Sequence, residues 1–374
     1  MSHIHHELLT RLSLEQGIGP AQIFHIMQRL EVTSHTFPEL SSFSRQAIRE
    51  VFSLSAAQAE KVYAAFHNDN AYEQHQRTCA AQGISLISFF DDAYPSLLRH
   101  VYVPPALLWV QGAFLREEVM CAVVGARAAR PYAVRATRLL VKQLVDDSIC
   151  VVSGGARGID REAHETAIRH GGRTVVVMGC GLSHTYPSEH AFLYEDVREK
   201  GGVLVSCFPP HIPPTRGTFP ARNRVIAGLS HACIVVQASQ KSGALITAQH
   251  ALEEGRSVGA VPGPIDEAAF YGSNTLLSQG ALVVRSSADV IQNTHYEREK
   301  DPVLAVKEEE KSPVLQYLSK PLSFDELCRH TRLTPHDLQQ ELAKLQAQGF
   351  ITQNMAGQWE KFTSHHNHNR DKRS

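Results

Sequence analysis

The sequence predicts an α/β protein built on a doubly wound, mostly parallel sheet, flanked by a helical domain and a small terminal helix-and-strand unit. Two observations carry the sheet. Seven short runs rich in Val and Ile lie between residues 122 and 284, and they are apolar throughout rather than at alternate positions. That pattern belongs to strands buried on both faces, as in a parallel sheet covered by helices. Helix-length stretches separate the runs and supply the crossovers a parallel sheet needs. A third observation sets the flanks: the segments before and after this region lose the strand pattern and take up helical spacing.

In chain order, residues 1–85 read as a helical domain. Leu8, Leu9 and Leu12, then Ile23, Ile26, Met27 and Leu30, follow a helical stripe. Gly17-Ile18-Gly19-Pro20 breaks the stripe as a sharp turn, and a second helix pair is expected between Phe43 and Phe66. Residues 86–293 hold the sheet, with strands expected at Ala122–Val124, Ile149–Val152, Thr174–Val177, Val203–Val205, Cys233–Val236, Ser257–Val261 and Leu282–Val284. Residues 294–312 are polar and mostly charged, a linker. Residues 313–361 read as helix, Ser323–His330, turn, Pro335–Gln348 and a short strand return, the layout of a winged helix. Residues 362–374 have a disordered composition.

Composition narrows the function classes. The chain has 374 residues, 43% hydrophobic and 20% charged, which is ordinary for a globular protein. No run of 18 apolar residues predicts a transmembrane helix, and the N-terminus lacks an export signal, so a cytoplasmic address and no membrane partner are expected. Lys plus Arg total 37 against 38 Asp plus Glu, so the net charge of −1 gives no bulk attraction to a polyanion. Any such site must come from local segregation of charge. Seven cysteines without a C-x-x-C pattern read as reduced thiols, and zinc is not expected. The histidine clusters (His3, His5, His6 and His365, His366, His368) read as solvated ends rather than metal ligands.

In a doubly wound sheet, ligands bind outside the carboxyl ends of the strands, near the point where strand order reverses. The loops at those ends are therefore the candidate site. They contain Gly125-Ala126-Arg127, Ser153-Gly154-Gly155-Ala156-Arg157-Gly158, Gly179-Cys180-Gly181, the stretch from Cys207 to Arg224, and Ser239 to Ala244. Glycine lets backbone amides approach a ligand, and helix N-termini favour anions. Arginine recurs as Arg127, Arg157, Arg216, Arg222 and Arg224. In any one loop, glycine serves turn geometry and a single arginine often closes a salt bridge. Five loops on one rim instead suggest a basic groove.

Equipment for catalysis is sparse. There is no G-x-G-x-x-G fingerprint, no P-loop and no G-x-S-x-G elbow. His164 could act as a base beside Ser153, but a lone histidine on such a helix is more often structural. No catalytic residue, metal ligand or required cofactor is expected.

The segments VVGAR (123–127), VVSGGARGIDREAH (151–164), GCGLSHTYP (179–187), FPARNRVIAGLS (219–230), SGALITAQHALEEGR (242–256), VPGPI (261–265) and GSNTLLSQGA (272–281) occur in this order. Together they closely resemble the DNA-processing protein A family (DprA, also called Smf). The resemblance implies an extended Rossmann-like sheet domain, an N-terminal domain of the SAM or helix-hairpin-helix type and a terminal winged helix. It implies a protein, not an enzyme, that binds and protects single-stranded DNA. Such a protein loads the RecA recombinase during natural transformation and forms a homodimer through the sheet domain. Carried over by motif, Arg127, Arg216 and Phe219 contact DNA, and Ser242, Gly243 and Thr247 line the same pocket. Arg157, Arg222 and Arg224 extend the basic track. Phe219 is the expected stacking platform, with Tyr186 second. Cys207 and Gln237 stand where this family usually has Glu. The runner-up reading is a nucleotide-processing enzyme of the phosphoribohydrolase kind, whose P-G-G-x-G-T-x-x-E glutamate has no counterpart in Ser153–Gly158 or Pro262–Pro264.

Two accessory readings complete the expectations. The Gly17–Pro20 turn resembles a helix-hairpin-helix hairpin, although only Arg11 and Arg29 are basic nearby. In residues 312–361, Lys320, Arg329, Arg332, Lys344 and Lys361 are balanced by Asp325, Glu326, Asp337, Glu341 and Glu360. A duplex-reading helix should be basic, so a protein contact or a regulatory role is favoured there.

Overall fold

The computed structural model describes residues 6–33, 37–116, 118–294, 314–318, 320–331, 333–347, 351–354 and 357–361. The expected linker beyond Thr294, the tail 362–374, and the histidines at 3, 5, 365, 366 and 368 lie outside the described residues. The chain divides into two compact units, Met1–Tyr296 and Glu297–Ser374.

The first unit opens with six helices: α1 (His6–Leu14), α2 (Pro20–Thr33), α3 (Phe37–Ser41), α4 (Arg45–Val51), α5 (Ala56–His67) and α6 (Asp69–Ala81). The expected apolar stripe is their core, with Leu8, Leu9, Leu12, Ile26, Met27 and Leu30 at most 1% exposed. Each such side chain contributes roughly 1.5–3 kcal/mol by leaving water. Local signals fix the ends. Pro20 opens α2, where a missing amide hydrogen costs nothing. Ser55 and Gln58 form a capping box at the start of α5. One expectation fails: His6 is no solvated end, because it lies in α1 with its Nε2 2.7 Å from the Asp91 carboxylate.

The sheet elements follow as β1 (Ser85–Ser88), α7 (Ser96–Arg99), β2 (Leu107–Gln111), β3 (Met120–Gly125), α8 (Pro131–Asp146), β4 (Cys150–Ser153), α9 (Ile159–Arg169), β5 (Thr174–Val177), α10 (Ala191–Glu199) and β6 (Val203–Ser206). After these come α11 (Thr218–Leu229), β7 (Ala232–Gln237), α12 (Gly243–Glu253), β8 (Ser257–Ala260), α13 (Tyr271–Ser278), β9 (Leu282–Val283) and α14 (Ser287–Asn293). The nine strands run in the order β1-β2-β6-β5-β4-β3-β7-β8-β9. All seven strands expected from the sequence, β3 to β9, pair in parallel. β1 and β2, not anticipated, add an antiparallel edge beside β6.

Both faces of the sheet are covered, as the continuous apolar runs require. Ala122, Val124, Val152, Val175 and Val235 pack with α11 and α12 on one face. Cys121, Val123, Val151, Ile234 and Val236 pack with α8 and α9 on the other. The N-terminal helices share their core with Leu107 and Trp109 of β2. Strand order reverses at β3, which has β4 on one side and β7 on the other.

The second unit contains a short 3-10 turn (Leu315–Tyr317), helices α15 (Phe324–Thr331) and α16 (Pro335–Ala347), and a hairpin of β10 (Ile351–Gln353) and β11 (Trp359–Lys361). Leu318, Leu327, Leu338, Leu342 and Ile351 form its core. Among the described residues of the protein, no helix is long and apolar enough to cross a membrane.

A buried bond links α6 to β2: the Trp109 indole donates to His75 Nε2 at 2.8 Å. Burial, with a smaller push from His211, lowers the His75 imidazole from 6.5 to about 4. The unfolded side chain takes its proton near pH 6.5, so between these values the unfolded state binds more protons. Stability should therefore fall as pH drops through that window, by about 2–3 kcal/mol from this one group. Denaturant melts at pH 6.5 and pH 4 should show the loss. His75→Gln, whose amide oxygen accepts the same bond, should remove that part of the slope.

Candidate nucleic-acid interface

The reversal between β3 and β7 opens a cleft of about 840 Å³ at the carboxyl ends of the two strands. Such volumes suit an organic ligand rather than a single ion. Two helices start at its walls. Arg130 and Pro131 bring the N-terminus of α8, and Ser242, Gly243 and Ala244 bring that of α12. Their unpaired amides and aligned dipoles favour negative charge. Ser242 caps α12 by accepting from Ala244 N at 3.3 Å. A Cβ built on Gly243 would meet nothing within 4 Å, so its backbone faces open space. Thr247, one turn further along α12, is 2% exposed and lines the cleft.

The loop carrying Arg127 is held from two sides. Below it, Ile159 N donates to Ala126 O at 3.2 Å. This approach is possible because Gly158 has φ +76° and no side chain; a Cβ there would lie 2.3 Å from Ala126 O and 2.5 Å from Arg127 O. From the side, Gln237 accepts from Arg130 N at 2.8 Å and donates to Ala128 O at 3.4 Å. Arg127 itself is exposed, with its guanidinium 5.5 Å from the centre of the Phe219 ring. Phe219 sits in the first turn of α11, and its ring fills the place a side chain on Gly179 would take. The Tyr186 ring lies 5.6 Å away. Thr218 Oγ1 ties this turn to the loop after β5 by donating to Gly179 O at 2.6 Å. Arg216, just before α11, is exposed and lines the same cleft.

The structure thus brings Arg127, Arg216, Phe219, Ser242, Gly243 and Thr247 together; Arg222 lines the same cleft but is spent on internal bonds, and Arg157 and Arg224 lie outside its lining. Arg222 is 5% exposed: its guanidinium donates to Gly154 O, to Val177 O at 2.6 Å and to Asn223 at 3.1 Å. Burial pulls its pKa down, opposed by the charge of Asp160. It braces the ends of β4 and β5 and offers little to a ligand. Arg157 is paired with Glu189 and lines only a shallow recess beyond Phe219. Arg224 is exposed outside the cleft lining and feels Glu253 instead. The glycines also work differently from the expectation. The space beside Gly154 and Gly179 is filled by Arg222 and Phe219, so these residues serve internal packing rather than ligand approach.

Three further residues shape the cleft without standing out in the sequence as part of a groove. Asp160, in the first turn of α9, accepts from Gly154 N at 3.1 Å, and burial pushes its carboxyl up against the pull of Arg222. It is the only carboxylate among the residues lining the cleft. Arg130 lies at the rim, 3.5 Å from Glu267. Gln237 is visible in the sequence only as a departure from a family pattern, and its place at the cleft floor is a matter of tertiary structure. His164 is structural: burial lowers it to about 3, and its Nδ1 lies 2.7 Å from the Thr174 hydroxyl. Burial likewise keeps the Cys207 thiol neutral by pushing it up to about 12. Among the described residues no cluster of His, Cys, Asp or Glu could hold a metal ion.

The balance of the cleft is therefore cationic. Arg127 and Arg216 have no carboxylate within ion-pair distance among the described residues. The model of the family described as DNA recombination-mediator protein A matches residues 85–295. The chain belongs to this family. It is 34% identical over 289 residues to the DNA processing protein DprA of Bacillus subtilis, covering 76% of this chain and 93% of that one. It is 40% identical over 212 residues to the Smf protein of Escherichia coli, covering 56% of this chain and 57% of the relative. The chain thus spans just over half the length of the E. coli protein. The X-ray structure of DprA from Streptococcus pneumoniae superposes with a TM-score of 0.68 at 29% identity, covering 79% of this chain and 99% of that one. A structure of Helicobacter pylori DNA processing protein A, described for its single-stranded DNA binding mode, superposes with a TM-score of 0.51 at 26% identity over 57% of this chain and 97% of that one.

The assignment of Arg222 to bracing has a direct consequence. Arg222→Met should leave the carbonyls of Gly154 and Val177 without donors and Asp160 without its nearby cation. The expected loss is about 3–5 kcal/mol of stability, measured by denaturant unfolding. Arg224→Met, altering an exposed residue two positions on, should change stability by less than about 0.5 kcal/mol.

Proposed function

We propose that the cleft binds single-stranded DNA and that the protein serves as a recombination mediator, protecting incoming strands and loading the RecA recombinase in natural transformation. One observation carries the reading. Two arginines without carboxylate partners among the described residues line one cleft with an aromatic ring at the strand-order reversal. Single strands are held by a basic track together with rings on which bases stack. Arg127 and Arg216 supply the charge, the start of α12 supplies amides and hydroxyls, and Phe219 with Tyr186 supplies the platform. Backbone contacts of this kind select no sequence. The relatives' names and the single-strand binding of the H. pylori protein support the reading.

Binding without catalysis fits the groups present. The lining offers arginines, an aromatic ring, hydroxyls and one carboxylate already engaged by a backbone amide. The protein acts in the cytoplasm as a homodimer joined through the sheet domain. The second unit is a winged helix whose balanced charge suits a protein contact better than duplex reading.

Arg127→Ala combined with Arg216→Ala should abolish the gel shift of an oligo-dT at moderate salt while the melting curve stays cooperative. Single substitutions should each reduce the salt slope of binding by about 0.7. Undiminished affinity in the double variant would remove the cleft from consideration. Phe219→Ala should weaken binding by about 1–3 kcal/mol, roughly 5- to 150-fold, with little change in salt slope. A drop in slope equal to that of the arginine variants would instead mean that the ring acts only by positioning Arg127.

A further inference from the structure

We infer that the cleft is a mononucleotide site: it seats one nucleoside monophosphate, alone or as a link of a strand, with the phosphate at the start of α12 and the base against Phe219. The inference takes the cleft as the site of the proposed strand binding and narrows its ligand. Two observations at α12 point to a phosphate. The first is the backbone. Ala244 N is used by the Ser242 hydroxyl at 3.3 Å and Leu245 N by Ser242 O at 3.1 Å, which leaves Gly243 N with no acceptor among the described residues. A helix of 11 residues stands behind that amide, and its dipole favours an anion there.

The second is Thr247. It is 2% exposed and lines the cleft, yet its hydroxyl makes no bond to a protein group among the described residues. The other buried threonines of the sheet domain all bond protein groups: Thr137 bonds Ala133 O, Thr166 bonds Glu162 and Thr174 bonds Val151 O. A buried hydroxyl left without a partner is costly, and a phosphate oxygen in the cleft would supply one. Phe219 stands on a neighbouring wall. One turn on from it, Asn223 Nδ2 donates to Gly243 O at 3.4 Å, which ties the helix carrying the ring to the helix start that meets the phosphate. Base and phosphate of one nucleotide are thus met together within a cleft of about 840 Å³. Arg157 and Arg130, which border it, are paired with Glu189 and Glu267. The groups able to hold a nucleotide are concentrated inside, and one nucleotide engages them without its neighbours in a strand.

The test is equilibrium dialysis of the full-length protein with radiolabelled dTMP, followed by displacement of a labelled oligo-dT, both at fixed ionic strength. dTMP should bind at one site per chain and displace the oligonucleotide. Thymidine and inorganic phosphate, each carrying half of the recognised chemistry, should compete at least tenfold more weakly. Thr247→Val, which keeps the shape and removes the hydroxyl, should weaken dTMP at least fivefold and leave thymidine unchanged, whereas Thr247→Ser should bind as wild type does. If the protein binds oligo-dT but not dTMP, the mononucleotide site is refuted while the cleft stands as a strand site. It is equally refuted if bound dTMP leaves the oligonucleotide in place, if thymidine or phosphate competes as well as dTMP, or if Thr247→Val retains full affinity. If dTMP binds and oligo-dT does not, the strand reading fails and the mononucleotide site remains. A melting curve identifies unfolding; loss of fold in Thr247→Val leaves the comparison of the three ligands on wild type as the deciding result.

Discussion

The buried guanidinium of Arg222 is the contact around which the rim of the sheet is organised. It reaches the carbonyls of Gly154, just past β4, and of Val177, which ends β5, and lies under the ring of Phe219 at 5.8 Å from its centre. Removing a cation from water costs several kcal/mol unless its hydrogens are used. Here the carbonyls and the field of Asp160 offset that cost. Two strand ends and the start of α11 are thereby held in fixed relation. The residues next to them, exposed Arg127 and Arg216 and half-buried Phe219, need no order of their own to converge.

This division explains how a chain of net charge −1 presents a cationic cleft. Elsewhere on the surface, arginines are neutralised by near neighbours, as with Arg157 and Glu189, Arg138 and Glu162, or Arg285 and Asp289. Exposed pairs of that kind contribute little to stability. Arg127 and Arg216 lack such partners among the described residues, so the cleft keeps its positive charge. Charge there is concentrated by the concave wall and by the two helix starts rather than by the protein as a whole.

Much of the fold was legible because burial writes itself into composition. Strands covered on both faces must be apolar at every position, and β3 to β9 were readable on that rule. β1 and β2 escaped it for opposite reasons. Ser85–Ser88 is half polar, and Leu107–Gln111 follows a proline-rich stretch that reads as a loop. The lining of the cleft was legible where a residue stands out by its own chemistry, as with Arg127, Arg216 and Phe219, which the fold gathers along one wall. It was illegible where the neighbours decide. Arg222 and Arg224 are chemically alike and two positions apart on one helix, yet α11 turns one into the protein and the other to solvent. His6, grouped by composition with the terminal histidines, proved to be part of a helix because Asp91 is there to meet it. For Gln237, the sequence supplied the residue but not the loop it grips.

Gly158 has a bearing on how this protein tolerates variation. Its missing side chain is matched to carbonyl oxygens on another segment, and not to anything that enters the cleft. Even alanine there would have to displace the strand-end turn that carries Arg127, while leaving every group that lines the cleft chemically intact. Saturation mutagenesis would therefore score this position as intolerant alongside the residues proposed to touch DNA. Sensitivity and contact are different properties in this rim, and inferring one from the other would draw the footprint too large.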